Sequence, residues 1–220
     1  MKRRLHLVVT AGPTWEPLDP IRGITNRSTG TMGYTVAQDA LRRGHRVTLV
    51  SGPSALRAPR GARMVRVTTA REMRTATLDA LRRADALVMT AAVADYRPAG
   101  VHQAKLKRAG RALTVRCVEN PDILAEAGRR FGDQRLLVGF ALESRHVAAY
   151  AEHKLAAKRL DLIIGNSIRR GHATFGAQPL TDAVLITRRG VIARRARASK
   201  AWVAQQILDF LERCTRCCIL

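Results

Sequence analysis

The sequence predicts an α/β fold, a three-layer sandwich with a mostly parallel sheet and a small β-hairpin extension. Three observations carry this. Short apolar runs at residues 5–10, 46–51, 64–67, 86–90, 136–141 and 162–165 read as strands buried on both faces. Stretches of helical period separate them, which is the alternation of a parallel sheet covered by crossover helices. The length of 220 residues suits one domain, 1–220, with a sizeable core.

The first strand opens into residues 10–33, TAGPTWEPLDPIRGITNRSTGTMG, before a helix at 34–43. Strand-to-helix connections usually take about 2–6 residues, so this one is oversized. Gly12, Gly30 and Gly33 permit close backbone approach, and Asn26, Ser28, Thr29 and Thr31 add short polar groups near a helix N-terminus. From composition alone this is equally an anion cradle or a surface loop rich in turn formers. In the helix, Val36, Ala37, Ala40 and Leu41 share a face, and Gly44 suits the C′ position. The strand at 46–51 completes a βαβ unit, whose right-handed crossover makes the two strands parallel.

After a loop at 54–62 comes the strand at 64–67. Thr69 and Glu72 then form a capping box for a helix to about residue 84. The apolar run at 86–90 leads into AAVADYRP at 91–98, at the carboxyl end of a strand, where open α/β sheets bind ligands. On pattern alone Asp95 reads as a turn cap. Residues 113–118 alternate as a hairpin arm outside the parallel sheet. Asn120-Pro121-Asp122-Ile123 opens a helix with proline near N1, running to residue 130 or 131. A strand at 136–141, a helix at 147–159 and a strand at 162–165 follow. Residues 166–179 read as a loop carrying Phe175 and Gly176. Strands at 183–187 and 190–194 form a last hairpin, and Ser199 caps a helix to residue 213.

The balance of 39 Lys plus Arg against 17 Asp plus Glu gives a formal charge of +22 and favours anionic partners, without choosing among nucleic acid, acidic lipid and small phosphorylated substrates. Six of these cations are lysine, and four of the six form the pairs Lys105/Lys107 and Lys154/Lys158. Those places are expected to want a compact ammonium, whereas Lys2 and Lys200 read as solvated cations that would tolerate arginine. Cys117, Cys214, Cys217 and Cys218 form no disulfide framework, and the spacing of Cys214 and Cys217 lacks the second half of a zinc site. The last four residues imitate a prenylation box by accident of composition. With no convincing signal peptide and no run of about 18 apolar residues, the expected location is the cytoplasm, away from membranes.

The wording of residues 11–33 closely resembles the signature of phosphopantothenoylcysteine synthetase. AAVADYR at 91–97, KLKR at 105–108, NPDIL at 120–124, VGFALES at 138–144, the helix at 150–158 and LDLIIGN at 160–166 extend the likeness in the same order. The resemblance implies a Rossmann-like fold and a coenzyme A ligase. It implies that CTP activates 4′-phosphopantothenate as an acyl-cytidylate, with Mg²⁺, and that L-cysteine then displaces CMP. Carried over by position, Ala91, Asp95, Lys105, Pro121, Asp122, Ile123, Leu124, Phe140, Lys154 and Lys158 contact the nucleotide. Asn26 holds the acyl-cytidylate, Arg22 is linked to its conversion, and Lys105 joins them as a catalytic candidate; no metal ligands are assigned. Without the resemblance, Phe140 reads as a core aromatic, and Lys154 and Lys158 as a solvated helix face at i, i+4. Thr31 and Arg108 stand where relatives often carry lysine, and Leu142-Glu143-Ser144 replaces Ala-Glu-Thr. The family also implies a homodimer and a flavin-dependent decarboxylase half, here expected as a separate polypeptide or a removed domain, so no flavin is expected in this chain.

Two rivals differ in class. Tyr150 and Lys154 imitate the spacing of short-chain NAD(P)-dependent oxidoreductases, but no G-x-G-x-x-G follows the first strand and no acid ends the second. A basic nucleic-acid-binding module fits the charge, but the cations are scattered and aromatic residues make up 4% of the chain, too few for a stacking platform.

Overall fold

The computed structural model describes residues 3–108, 110, 112–143, 145–167 and 180–217. Lys2, Ser144, Phe175, Gly176 and the last three residues fall outside them. In chain order the elements are β1 (His6–Ala11), β2 (Trp15–Pro17), β3 (Gly23–Thr25), α1 (Thr31–Arg42), β4 (Arg46–Ser51), β5 (Arg63–Arg66), α2 (Ala70–Leu81), β6 (Ala86–Met89) and β7 (Tyr96–Pro98). There follow β8 (Cys117–Glu119), α3 (Ile123–Phe131), β9 (Leu136–Glu143), α4 (Val147–Ala157), β10 (Leu162–Ser167), β11 (Leu180–Thr187), β12 (Gly190–Ala198) and α5 (Lys200–Cys217).

The main sheet has the order β12-β11-β10-β9-β6-β1-β4-β5. Its six parallel strands, from β5 to β10, stand third, second, first, fourth, fifth and sixth in their own succession, the doubly wound Rossmann order. The strand order reverses between β1 and β6, which leaves a crevice at their carboxyl ends. The hairpin β11–β12 adds to β10 in antiparallel fashion.

Strand β1 shows why the sequence reads as continuous apolar runs. Leu7, Val9 and Ala11 face a core shared with α1 and α5, while Val8 faces the opposite core with α2, α3 and α4. All four are fully buried, so both faces are covered and neither can alternate with polar residues.

Caps set the helix ends. Gly44, at φ 86°, closes α1 in a Schellman motif: its N–H bonds Leu41 O at 3.0 Å and that of His45 bonds Ala40 O at 3.0 Å. Thr69 accepts from Glu72 N at 3.2 Å, and Glu72 accepts in return from Thr68 N at 2.8 Å. Ser199 accepts from Trp202 N at 3.1 Å. At α3 the cap is Asp122, which accepts from Ala125 N at 2.9 Å, so Pro121 precedes the cap instead of standing at N1.

Helix α5 returns the chain to its start. His45 accepts from Leu5 N through Nδ1 at 3.3 Å and meets Glu212 through Nε2 at 3.2 Å, while Arg43 reaches Asp209 at 2.6 Å. With Nδ1 accepting, the proton sits on Nε2, which makes His45 the donor to Glu212.

Three further expectations change. The first loop holds a hairpin, β2–β3, and α1 starts three residues earlier than its apolar face suggests. The arm at 113–118 contributes only β8, which pairs with β7 outside the main sheet. Strands β9 and β10 run to Glu143 and Ser167, with Asn166 opposite Leu142, so Asn166 is strand and not loop.

Candidate active site

The crevice between β1 and β6 is sewn together by their following loops. Thr90 donates to Thr10 O at 2.7 Å and Thr10 accepts from Ala91 N at 3.1 Å. Ala92 N donates to Gly12 O at 2.9 Å, and Ala94 N to Thr14 Oγ1 at 3.0 Å. The carbonyl of Ala92 accepts from Asn26 Nδ2 at 2.8 Å, which fixes the Asn26 side chain. Glu16, buried on β2, accepts from Ala70 N at 2.9 Å and so anchors the same loop to the N-terminus of α2.

Helix α1 aims its N-terminus at this rim with no side-chain cap. Its cap residue is Gly30, at φ 83°, where an added Cβ would lie 3.0 Å from Gly12 N. Gly33, in the first turn, lies closer still: a Cβ there would meet Thr90 Oγ1 at 2.6 Å and Thr10 O at 2.7 Å. Glycine therefore lets the helix press against the ends of β1 and β6. Open N–H groups at such a terminus suit an anion.

Two clefts flank the seam. The larger, about 540 Å³, is walled by the loops after β6 and β8, the start of α3, the end of β9 and the face of α4. Ten of the twelve residues singled out by the resemblance line it: Asn26, Ala91, Asp95, Pro121, Asp122, Ile123, Leu124, Phe140, Lys154 and Lys158. They come from five separated stretches, so the fold brings together what the sequence spreads over 130 residues. The smaller cleft, about 190 Å³, lies at the N-terminus of α1, and Phe140, Ala91 and Leu142 border both.

Both lysines of the larger cleft are paired across it. Lys154 Nζ lies 2.7 Å from Glu143 Oε1, and Lys158 Nζ lies 2.8 Å from Asp122 Oδ2. They are not the solvated face that i, i+4 spacing alone suggests. Burial pushes the Asp122 carboxyl up, but the hydrogen bond from Lys158, the N–H of Ala125 and the nearby Arg129 together hold it below the usual range. Asp95, on the cleft rim, is exposed and has no ion-pair partner among the described residues. Its main-chain carbonyl receives Asn120 N at 2.8 Å, so the loop is held by backbone while the carboxylate stays available.

Arg22 and Lys105 line neither cleft. Arg22 forks onto Asp19 at 2.9 Å and 2.5 Å, and also donates to Leu106 O at 2.5 Å. Leu106 N donates to the same carboxylate at 3.1 Å. Asp19, 2% exposed, thus ties the tip of the β2–β3 hairpin to the loop bearing Lys105. The Arg22 guanidinium holds its carboxyl far below the usual range against the opposing effect of burial, helped by the N–H groups of Ile21, Leu106 and Arg22.

Sequence reasoning missed three side chains at the site. Lys200, expected to be solvated, is half-buried in the wall of the smaller cleft, and burial pushes its ammonium below the ordinary lysine value. Asn166, expected in a loop, lines the same cleft at 5% exposure, its Oδ1 without a hydrogen-bond partner among the described residues. Glu143 pairs with Lys154. The available signal was position: Asn166 and Glu143 lie at the carboxyl ends of parallel strands, where such sheets place ligands.

Comparison with known proteins identifies the family and the fold. Residues 3–214 match the family described as the DNA/pantothenate metabolism flavoprotein C-terminal domain. The chain is 45% identical over 173 residues to the coenzyme A biosynthesis bifunctional protein CoaBC of Bacillus subtilis, covering 78% of this chain and 42% of that protein. Its counterpart from Escherichia coli is 44% identical over 169 residues, with 76% and 42% covered. The chain therefore spans about two fifths of the length of the curated relatives it matches. Among solved structures, the C-terminal domain of CoaBC superposes with a TM-score of 0.81 at 34% identity, covering 96% of each chain. A DNA/pantothenate metabolism flavoprotein from Streptococcus pneumoniae shares the fold at a TM-score of 0.82 and 21% identity, covering 95% of this chain and 99% of that one.

Proposed function

Because this chain belongs to the family of DNA/pantothenate metabolism flavoprotein C-terminal domains, we propose that it is a phosphopantothenate–cysteine ligase of coenzyme A biosynthesis. The observation that carries the reading is the gathering of ten resemblance-assigned residues around one cleft at the switch point of the sheet. The reaction has two steps. A carboxylate oxygen of 4′-phosphopantothenate attacks the α-phosphorus of CTP, and the bond to pyrophosphate breaks. The amine of L-cysteine then attacks the acyl carbon of the acyl-cytidylate, CMP leaves, and the amide of 4′-phosphopantothenoyl-L-cysteine remains.

The first step brings two anions together, so cations must meet the charge that develops on the leaving pyrophosphate. Lys154 and Lys158 supply it, exchanging Glu143 and Asp122 for phosphate oxygens. Phe140 gives an apolar wall, and the loop 121–124 the edge against which the base rests. Asn26, its amide held by Ala92 O, presents a neutral group to the mixed anhydride and adds no charge. Arg22 acts at one remove: with Asp19 and the backbone of Leu106 it fixes the hairpin that delivers Asn26 and ties to it the loop that bears Lys105. Mg²⁺ suits a site of one or two carboxylates plus substrate phosphates, where it would neutralise phosphate charge, and Asp95 is the carboxylate that fits.

The protein works as a homodimer, and the flavin-dependent decarboxylase activity of the bifunctional relatives is carried outside the stretch that this chain matches. The oxidoreductase alternative loses support, because Tyr150 is 53% exposed and borders a different surface hollow from the cleft of Lys154. The test is incubation with 4′-phosphopantothenate, L-cysteine, Mg²⁺ and CTP, ATP, GTP or UTP in turn, with products identified by mass. Phosphopantothenoylcysteine, pyrophosphate and CMP with CTP are expected. No ligated product with any nucleotide would overturn the assignment, and oxidation of NADPH in a parallel incubation supplied with it would favour the rival.

A further inference from the structure

Cations that are scattered along the sequence are gathered by the fold at the end of the sheet that the reaction does not use. The catalytic crevice lies at the carboxyl ends of the parallel strands, and their amino ends form the opposite face of the molecule. There almost every strand starts behind an arginine. Arg159 precedes β10, Arg83 precedes β6 and Arg4 precedes β1, while Arg46 and Arg63 are the first residues of β4 and β5. Arg189 joins them from the turn between β11 and β12, which reaches this end because β11 runs antiparallel to β10, with Thr187 opposite Leu162. The sheet order sets these six side by side, interrupted at β9 alone, where Arg135 is half-buried and donates to Arg82 O at 3.2 Å.

All six are exposed, and none has a side-chain hydrogen bond or ion pair among the described residues. The acids of the same turns face inward. Asp85 accepts from His6 N at 2.7 Å and pairs with Arg3, and Asp161 accepts from Leu137 N at 2.8 Å beside Arg188. Asp133 is the one exposed acid among the described residues of these turns. Six like charges in a row repel one another, and a polyanion laid along them removes that repulsion.

The shape and chemistry of the row choose the polyanion. Neighbouring strands lie about 4.8 Å apart, so the row from β11 to β5 spans about 29 Å. That is close to one turn of a nucleic-acid duplex, about 34 Å. None of the described amino-end turns exposes a large apolar side chain. The face therefore lacks the buried anchors that carry protein interfaces, the apolar residues that enter a membrane surface and the aromatic platforms that hold single-stranded bases. Guanidinium groups alone suit a regularly repeated phosphate.

We propose that the amino-end face binds the phosphate backbone of a double-stranded nucleic acid without reading its sequence, a property separate from the ligase site at the other end of the strands. The experiment follows the fluorescence anisotropy of a labelled mixed-sequence DNA duplex of about 20 base pairs, two helical turns, with the full chain across a range of salt. A Kd of about 1–100 μM is expected at physiological salt. Six phosphate contacts give a slope of roughly −5 in log K against log salt, a loss of about 10³-fold between about 50 and 200 mM.

One variant carries Arg46→Gln, Arg63→Gln, Arg83→Gln and Arg159→Gln. The control carries Arg71→Gln, Arg116→Gln, Arg145→Gln and Arg194→Gln, an equal charge change at exposed arginines away from these turns. The first should bind at least about 10-fold more weakly at about 50 mM salt, with a slope shallower by about 4, and lysine at the same four positions should restore most of the binding. The control should keep the wild-type slope, and all should melt with the wild type. Absence of duplex binding at about 50 mM salt, or equal losses in the two glutamine variants, would overturn the proposal. So would tighter binding of polyglutamate or of phosphatidylserine vesicles than of the duplex, which would give the face to an acidic protein or a membrane instead.

Discussion

Gly33→Ala tests whether the closeness of α1 to the strand ends matters for chemistry. The new methyl would stand 2.6 Å from Thr90 Oγ1 and 2.7 Å from both Ala11 Cβ and Thr10 O, all of which must open to between 3.0 and 3.4 Å. The first turn of α1 or the rim of β1 and β6 therefore shifts by about 0.3–0.8 Å. Overpacking of this kind costs about 1–3 kcal/mol. Replacing glycine by alanine inside a helix returns about 1 kcal/mol. The net loss of about 0–2 kcal/mol corresponds to a fall in Tm of at most roughly 8 °C for a chain of this size. Catalysis should suffer more. A misplacement of about 1 Å can cost roughly 100-fold, so a smaller shift at the anion-binding turn should lower kcat/KM by about 10-fold or more. The control is Gly44→Ala, at φ +86° with nothing within 4 Å, which strains the other end of the same helix by about 1–2 kcal/mol and leaves the cleft untouched. Pyrophosphate release and thermal melts are measured for both. A Gly33→Ala enzyme with wild-type kcat/KM, or an equal kinetic loss in Gly44→Ala, refutes the reasoning.

Asn26→Asp sets a carboxylate against Ala92 O and against the bound phosphate; the variant should fold but neither accumulate nor use the acyl-cytidylate in a quenched single-turnover assay. Lys154→Arg should lose about 10²–10³ in the rate of pyrophosphate release, because a planar fork cannot repeat the ammonium's position between Glu143 and phosphate, with melting little changed. Asp161 gives a prediction in pH. Burial raises its carboxyl above the usual value, against the opposing Leu137 N–H and Arg188, so the folded state holds its proton more tightly than the unfolded chain does. Stability contributed by this group therefore falls as pH rises from the unfolded value, about 3.9, through the raised folded one. Asp161→Asn, which keeps an acceptor for Leu137 N, should be at least as stable as wild type at pH 7 and lose that advantage below about pH 4. Melts across this range that show a constant difference would contradict it.

The sheet was legible because its strands are buried on both faces and appear as unbroken apolar runs, and because Gly44, Thr69 and Ser199 mark helix ends by local chemistry. The hairpin β2–β3 was not, since three-residue strands leave no periodicity and this pair is held by a neighbour distant in sequence, Trp15 N to Thr68 O at 2.8 Å. The cap at Asp122 was hidden because proline suits N1 in general, and nothing in the sequence shows that Ala125 N takes the aspartate. At the site, the motif resemblance pointed to residues that the fold gathers around one cleft, Lys154 and Lys158 among them. The partners of those lysines, Glu143 and Asp122, depend on how α4 lies across the sheet. The place of Lys200 was hidden for the same reason: its burial is decided by packing between α5 and α1, which are separated by most of the chain.

That packing sets a timetable for a ribosome. The buried face of α1, with Tyr34, Val36, Ala37 and Ala40, shares its core with Val203, Ile207 and Leu211 of α5. The partner helix begins at residue 200, about 160 residues after α1 ends at residue 42. At roughly 5–20 residues per second, synthesis leaves the part of that core closed by α5 uncovered for about 8–30 s. During this interval the strands β1, β4, β5 and β6 can already pair, so a half-built sheet covered on that side by α1 alone is the species at risk of sticking to its neighbours. The last helix to be made also brings Lys200 to the wall of the smaller cleft, so that wall closes only after the lysine pair on α4 is in place.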